Sequence, residues 1–324
     1  MAALPLSKAI TAGLRKAMDD DPKVLLIGED IGKLGGVFRV TEGLQKDFGE
    51  QRVIDAPLAE SGIVGTSIGM AVRGYKPVIE VQFDAFIFPA YDQIVTQLAK
   101  LTNRTHGAEN MPIVIRVPYG GGIGSPEHHS ESPETVFAHH AGLKIISPSN
   151  AHDAYWMIQE AIASPDPIMF FEPKRRYWLR GEVDESDPGL DPFSARVVRE
   201  GSDVTLVTYG PLVPTGMDVA AAAAEEGTSV ELIDLRGLNP IDFDTIEASV
   251  RKTGRLVVAH EAPVFLGLGS EIAARITERC FYHLEAPVLR VGGFHTPYPG
   301  SKLEHHYLPD LDRIIDGIDR ALAY

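Results

Sequence analysis

A chain of 324 residues, 44% hydrophobic and 23% charged, argues against disorder, a collagen-like repeat or a coiled coil. At roughly 150 residues per domain it predicts two domains, each large enough to bury its own core. Thirty Lys and Arg against 45 Asp and Glu, a net charge of −15, disfavour nucleic acid or an anionic membrane as partner and suit a basic protein better.

The opening residues, Met1 to Ile10 (MAALPLSKAI), carry Lys8 inside their apolar stretch and lack a basic start, so no signal peptide is expected. No later run approaches about 18 uninterrupted apolar residues, so no membrane span is expected either. From Val24 onward, β-branched runs alternate with helical patterns, the signature of a parallel sheet flanked by helices. The strands in order are VLLIG from Val24, RVIDA from Arg52, PVIEVQF from Pro77, PIVIRV from Pro112, LKIIS from Leu143 and PIMFFE from Pro167. Between them a helix is expected from Ser61, with Ser61 as its cap and Gly74 as its left-handed stop, and another from Ala90 to Leu101.

The segment from Lys174 to Asp191 (KRRYWLRGEVDESDPGLD) has no period and reads as a linker. It separates domains at 1–180 and 198–324, with 181–197 between them. A second alternation follows: DVTLVTYG from Asp203, an Ala-rich helix near Asp218 to Glu226, SVELIDLRGL from Ser229, RLVVAHE from Arg255, a helix near Glu271 to Arg279, VLRVGG from Val288 and a last helix near Leu311 to Ala323. The fold class expected is α/β, with two doubly wound domains of mostly parallel sheet.

Cys280 is the only cysteine, so no intrachain disulfide and no C-x-x-C metal pair is possible, and a reducing, cytoplasmic setting is expected. Three glycine stretches, Gly120 to Gly124, Gly267 to Gly269, and Gly35 with Gly36, each favour loop geometry over a phosphate cradle, because none has the full strand, turn and helix context. The His pairs at 128/129, 139/140 and 305/306 lack the i, i+4 bite of a helical zinc site. Acyl-enzyme chemistry is not expected, from a nucleophile elbow or from Cys280. The stretch from Arg52 to Gln93 is more informative. Glu60 sits at the mouth of a helix whose Gly62, Gly65 and Gly69 permit close approach, and the next strand delivers Phe83, Phe86 and Phe88. An acid beside small residues and an aromatic wall suits an apolar cofactor pocket; a first-turn carboxylate stabilised by the helix dipole is the plainer alternative.

Taken together, GED at Gly28, DAPLAESGIVGTSIGMAVRGYKPVIEVQF, AYDQIVTQLAK, HHSESPETVFAH, LKIISPSN, FFEPK, HEAPVFLGLGSEIA and TPYP, in this order, resemble the β subunit of the E1 component of 2-oxo acid dehydrogenases. These are thiamin-diphosphate enzymes of the transketolase-like group, which implies a pyrimidine-binding domain followed by a transketolase C-terminal-like domain. The resemblance gives Glu60 a role: its counterpart hydrogen-bonds N1′ of the aminopyrimidine and favours a tautomer that takes the thiazolium C2 proton. The ylid then attacks the 2-oxo carbon and carbon dioxide leaves. Phe86 matches the residue against the pyrimidine, Leu58 and Gln82 nearby lining, and Glu29 a further lining acid. His129 matches the β-chain histidine that serves acyl transfer to lipoyl, His128 being its decoy neighbour.

The chain has no GDG motif, which in these enzymes holds magnesium and the diphosphate. The resemblance therefore implies an E1 α subunit supplying that half in an α2β2 heterotetramer, and an E2 acyltransferase whose basic subunit-binding domain docks on the C-terminal domain and whose lipoyl domain receives the acyl group. HHSESPETVFAH and FFEPK favour branched-chain 2-oxo acids, with pyruvate or acetoin as alternatives and a noncatalytic interaction subunit as a rival reading. A family potassium site maps to main-chain oxygens near Ile113, Ala161 and Ser164 and around Asp166. His295 stands where the family commonly has Asp before Thr-Pro, which bears on docking.

Overall fold

The computed structural model describes residues 2–324. Its contacts divide the chain into two compact units. The first runs up to Tyr119 and resumes at Val136–Asp191; the second joins Gly120–Thr135 to Pro192–Tyr324.

The first unit comprises β1 (Ala2–Pro5), α1 (Leu6–Asp20), β2 (Val24–Gly28), α2 (Leu44–Phe48), β3 (Val53–Asp55), α3 (Glu60–Val72), β4 (Lys76–Glu80), α4 (Ala99–Arg104) and β5 (Val114–Tyr119). The chain re-enters it along α5 (Glu134–Ala138), followed by β6 (Lys144–Ile146), α6 (Ala151–Ala163), β7 (Ile168–Pro173) and β8 (Arg180–Val183). Within this unit the parallel strands run β6-β7-β5-β4-β2-β3. Every residue of β2, β5 and β7 is buried, which explains why these strands read as continuous apolar runs rather than alternations.

Arg116 interrupts that apolar pattern on β5. Its guanidinium lies 2.6 Å from Glu80 on β4 and 2.7 Å from Glu172 on β7, all buried. The Tyr177 hydroxyl donates to Glu172. Burial pushes the Glu80 carboxyl up, against the pull of Arg116, and the Glu172 charge adds to the rise.

Four local expectations change. The helix from Ser61 begins one residue earlier, at Glu60, with Ala59 before it and no side-chain cap, while Gly74 does take a left-handed φ of 84°. β4 ends at Glu80, so Phe86 and Phe88 come from a 3-10 turn over Asp84–Ala90 rather than from the strand. The helix from Ala90 contains a π-helical turn at Gln93–Leu98 before α4. The Lys174 to Asp191 stretch starts in the core: Lys174 is buried 2.6 Å from Asp84, and β8 pairs antiparallel with β1.

The second unit comprises β9 (Arg196–Arg199), β10 (Val204–Thr208), α7 (Val213–Glu225), β11 (Val230–Asp234), β12 (Gly237–Asn239), α8 (Phe243–Thr253), β13 (Leu256–Pro263), α9 (Leu268–Cys280), β14 (Leu289–Gly293), α10 (Glu304–Tyr307) and α11 (Leu311–Leu322). Its sheet runs β14-β13-β10-β11-β9, parallel except for β9. Leu206, Leu232 and Val257 pack with Val219 of α7 and Ile314 and Ile318 of α11. Asp242 and Asp310 cap α8 and α11 by accepting from Thr245 N and Arg313 N. Among the described residues no helix is long and apolar enough to cross a membrane.

Candidate functional site

In an open parallel sheet, ligands bind at the carboxyl ends of the strands, where connections part. Three neighbouring strands, β4, β2 and β3, deliver the first-unit candidates there. Glu29 follows β2, Leu58 and Glu60 follow β3, and Gln82 and Phe86 follow β4.

Glu60 is the first residue of α3 and only 9% exposed, so the helix N-terminus faces a buried carboxylate. Glu29 is 8% exposed, and its Oε1 has no hydrogen-bond partner. Burial raises the Glu29 pKa, the Glu60 and Asp30 charges add to the rise, and the Ala59 amide opposes it. Two buried acids, one with an unanswered acceptor, fit a ligand that brings polar hydrogens.

Around them, Gln82 Nε2 donates to Asp30 Oδ2 at 3.2 Å. Phe86 is half-buried and meets Phe83 edge-on at 6.0 Å, and Phe83 in turn meets Phe38 at 5.5 Å. Phe38 escaped the sequence reading because only the fold brings its loop to this wall. Leu58 is 81% exposed. On α3 a side chain at Gly69 would meet nothing, and Ser61, Gly62 and Thr66 are exposed too.

Residues 65–69 spell G-x-S-x-G (GTSIG), a pattern the sequence reading did not credit. The structure buries Ser67 inside α3, where its hydroxyl donates to the Ile63 carbonyl at 2.8 Å. Buried in mid-helix and bonded to its own backbone, it is not the exposed strand-to-helix turn of a nucleophile elbow.

His129 belongs to the second unit, on a 3-10 turn at Glu127–His129. It is half-buried, and its Nδ1 lies 2.8 Å from the His128 carbonyl, which puts the proton of the neutral ring on Nδ1. His128 is exposed beside Glu127. In the preceding glycine loop the Gly121, Gly122 and Gly124 amides donate to Glu261 and Glu304. Protein carboxylates occupy what would otherwise be an anion cradle. In the turn at Gly267–Gly269 an imidazole takes one amide, Gly269 N donating to His260 Nε2 at 3.3 Å, while Gly267 N donates to the Val264 carbonyl. Burial pushes the His260 pKa down to about 4.

Of the residues mapped to potassium, Ile113 precedes β5, Ala161 and Ser164 close α6, and Asp166 precedes β7. The Ile113 carbonyl accepts from Ile168 N at 2.9 Å and that of Ala161 from Ser164 N at 3.3 Å. The Asp166 carboxylate pairs with Lys144 at 2.7 Å. Among the described residues no group of three or more His, Cys, Asp or Glu could hold a metal ion. His295 stacks on Phe265 at 4.4 Å, beside a cleft of about 820 Å³ lined by Arg290, Phe294, Asp312 and Arg313.

Comparison with known proteins matches residues 2–178 to the transketolase pyrimidine-binding domain and residues 194–314 to the transketolase C-terminal domain. The chain is 61% identical to a pyruvate dehydrogenase E1 component subunit beta of Leifsonia xyli, covering 99% of this chain and 96% of that one. It is 53% identical to a 3-methyl-2-oxobutanoate dehydrogenase subunit beta of Mycobacterium tuberculosis, covering 99% and 92%. A pyruvate dehydrogenase E1 component subunit beta of Staphylococcus aureus is 44% identical over the whole of both chains. A solved split-gene transketolase, an inactive β4 tetramer, superposes with a TM-score of 0.82 over 99% of both chains at 22% identity, which supports the fold alone. With two-domain coverage and identities this high, the chain belongs to the 2-oxo acid dehydrogenase E1 β subunits.

Proposed function

We propose that this chain contributes half of a thiamin diphosphate site to a cytoplasmic branched-chain 2-oxo acid dehydrogenase. The enzyme releases carbon dioxide and passes the acyl group to lipoyl on E2. The observation that carries the reading is the Glu29 and Glu60 pair at the ends of β2 and β3, with Glu29 Oε1 unanswered. Bound thiamin diphosphate supplies the electron sink for decarboxylation. Glu60, the first residue of α3, would accept from the pyrimidine ring and manage its proton. Phe86 would lie against that ring, Leu58 and Gln82 would line it, and His129 would donate and take the proton during lipoyl acylation.

Magnesium and the diphosphate fall to an E1 α subunit in an α2β2 assembly, since this chain lacks GDG. The exposed small-residue face of α3 supports a subunit lying against it. The net charge of −15 supports docking of a basic E2 subunit-binding domain. A potassium ion would use the second lone pairs of the Ile113, Ala161 and Ser164 oxygens near Asp166; exchanging potassium for sodium would then lower the unfolding midpoint.

The branched-chain assignment rests on the HHSESPETVFAH and FFEPK blocks and accords with the name of the 53% relative. The name of the 61% relative favours pyruvate as the second reading. The test is co-purification with a candidate α subunit, then thiamin-dependent decarboxylation of 3-methyl-2-oxobutanoate and pyruvate. Higher kcat/KM for the branched substrate is expected. Preference for pyruvate overturns the substrate, and turnover by the isolated chain overturns the shared site.

A further inference from the structure

Five glycine-rich residues, GGGIG at 120–124, open the loop that carries His129. Left alone, such a segment would be among the most pliable in the molecule. Gly120, Gly122 and Gly124 all have positive φ, 80°, 88° and 72°, and at Gly121 a Cβ would fall 1.8 Å from the Tyr298 hydroxyl. The run is glycine because the backbone is wound tightly against a partner.

That partner is a pair of buried carboxylates. Glu304, 8% exposed, accepts from Gly122 N at 2.8 Å through one oxygen and from Gly124 N at 3.0 Å through the other. The Tyr298 hydroxyl donates to the same carboxylate at 2.7 Å, and burial followed by this bond pushes the tyrosine pKa up. Glu261, 4% exposed, accepts from Gly121 N at 3.0 Å. The loop closes on itself where Gly120 N donates to the Glu131 carbonyl at 2.9 Å, and beyond it Glu134 accepts from the Tyr209 hydroxyl at 2.5 Å. His129 therefore lies between two fastened ends, all within the second unit.

We propose that Glu304, assisted by Glu261, is a positioning residue for His129: it fills the amide nest of residues 121–124 and so fixes the loop that presents the imidazole. This rests on the reading of His129 as the group serving lipoyl acylation. Loss of the clamp leaves the chemistry on the first unit's carboxylates intact and misplaces only the imidazole. An effect confined to the second half-reaction follows.

The experiment uses the assembled α2β2 enzyme with thiamin diphosphate and Mg²⁺, comparing wild type, E304Q, H129A and the double variant. Two half-reactions are measured: 2-oxo acid decarboxylation with a dye as electron acceptor, and acylation of a free lipoyl domain. Hydrogen exchange of residues 120–131 reports the loop. E304Q should lower lipoyl acylation about 10- to 100-fold, the scale of a misplaced catalytic group, while dye-linked turnover stays within about twofold. The Gly122 and Gly124 amides should exchange faster, and the double variant should be no worse than H129A. Normal acylation by E304Q beside an impaired H129A overturns the positioning role alone; normal acylation by H129A removes the reading beneath it. If E304Q does not assemble, G121A, which forces a methyl onto Tyr298, must give the same split. Equal loss in both half-reactions overturns the proposal.

Discussion

In the second unit Glu304 takes two amides and a tyrosine hydroxyl, and Glu261 takes a third amide. In the first unit Glu29 keeps an oxygen with no partner, beside the Glu60 carboxylate. Burial is similar in the two places, so burial alone does not distinguish a structural acid from one held for a ligand. The difference lies in how far the fold answers each carboxylate: both oxygens of Glu304 accept protein donors, whereas Glu29 has the Ala59 amide and an Oε1 that none reaches. Where both oxygens are answered, the carboxylate fastens a loop. Where one is not, the folded state carries an unfavourable group that a bound ligand can compensate. The Arg116 cluster is a third case within the first unit, with Glu80 and Glu172 both answered by one guanidinium.

Removing Glu60 tests this contrast most severely. E60A or E60Q should lower decarboxylation by about 100- to 10,000-fold, the range for a lost acid–base group. Stability should barely move, because losing a first-turn carboxylate costs about 0.5 kcal/mol and Glu29 loses a like-charged neighbour. Urea unfolding alongside the decarboxylation assay checks both; near-normal turnover in E60Q would remove Glu60 from the mechanism. R116L should behave in the opposite way. It strands Glu80 and Glu172 in the core and should destabilise the chain by about 3–5 kcal/mol, with activity falling only as the folded fraction falls. An R116L chain as stable as wild type would show that the cluster is not a structural one.

The strand plan was readable because buried parallel strands announce themselves as apolar runs, and VLLIG, PIVIRV and PIMFFE became β2, β5 and β7. What escaped was whatever depends on distant partners. Lys174 in the KRR run looked like solvated linker, yet its partner Asp84 lies 90 residues earlier. β8 could not be seen without β1 to pair with, and β9 is a short edge strand of mixed polarity. Glu60 and Glu29 were legible as candidates through the family resemblance, but the missing partner at Glu29 Oε1 is a property of three dimensions. Glu261 and Glu304 carried no local signal at all. The one clue was the glycine run they fasten, which reads equally well as a loop or an anion cradle until the acceptors are known.

The sharpest small-scale test makes the same chemical change in both units. Because burial and the Glu60 charge raise the Glu29 pKa, the folded chain binds that proton more tightly than the unfolded one. The resulting stability is fully present below the ordinary glutamate range and is lost as pH rises through the raised value. E29Q removes the ionisable group, so at pH 7 its unfolding midpoint should lie above that of wild type, and the gap should narrow as the medium is acidified. Turnover should fall only a few-fold, since Gln keeps one acceptor oxygen. E304Q should shift the midpoint the other way at pH 7, because a Gln amide cannot accept on both sides, and a charge-assisted bond to a part-buried loop amide is lost at a cost of about 1 kcal/mol. Thermal unfolding from about pH 4 to pH 8 measures both variants. Opposite signs at neutral pH are the result the contrast requires. If E29Q is destabilised like E304Q, the Glu29 carboxylate is being answered by the fold after all, and the two units use their buried acids in the same way.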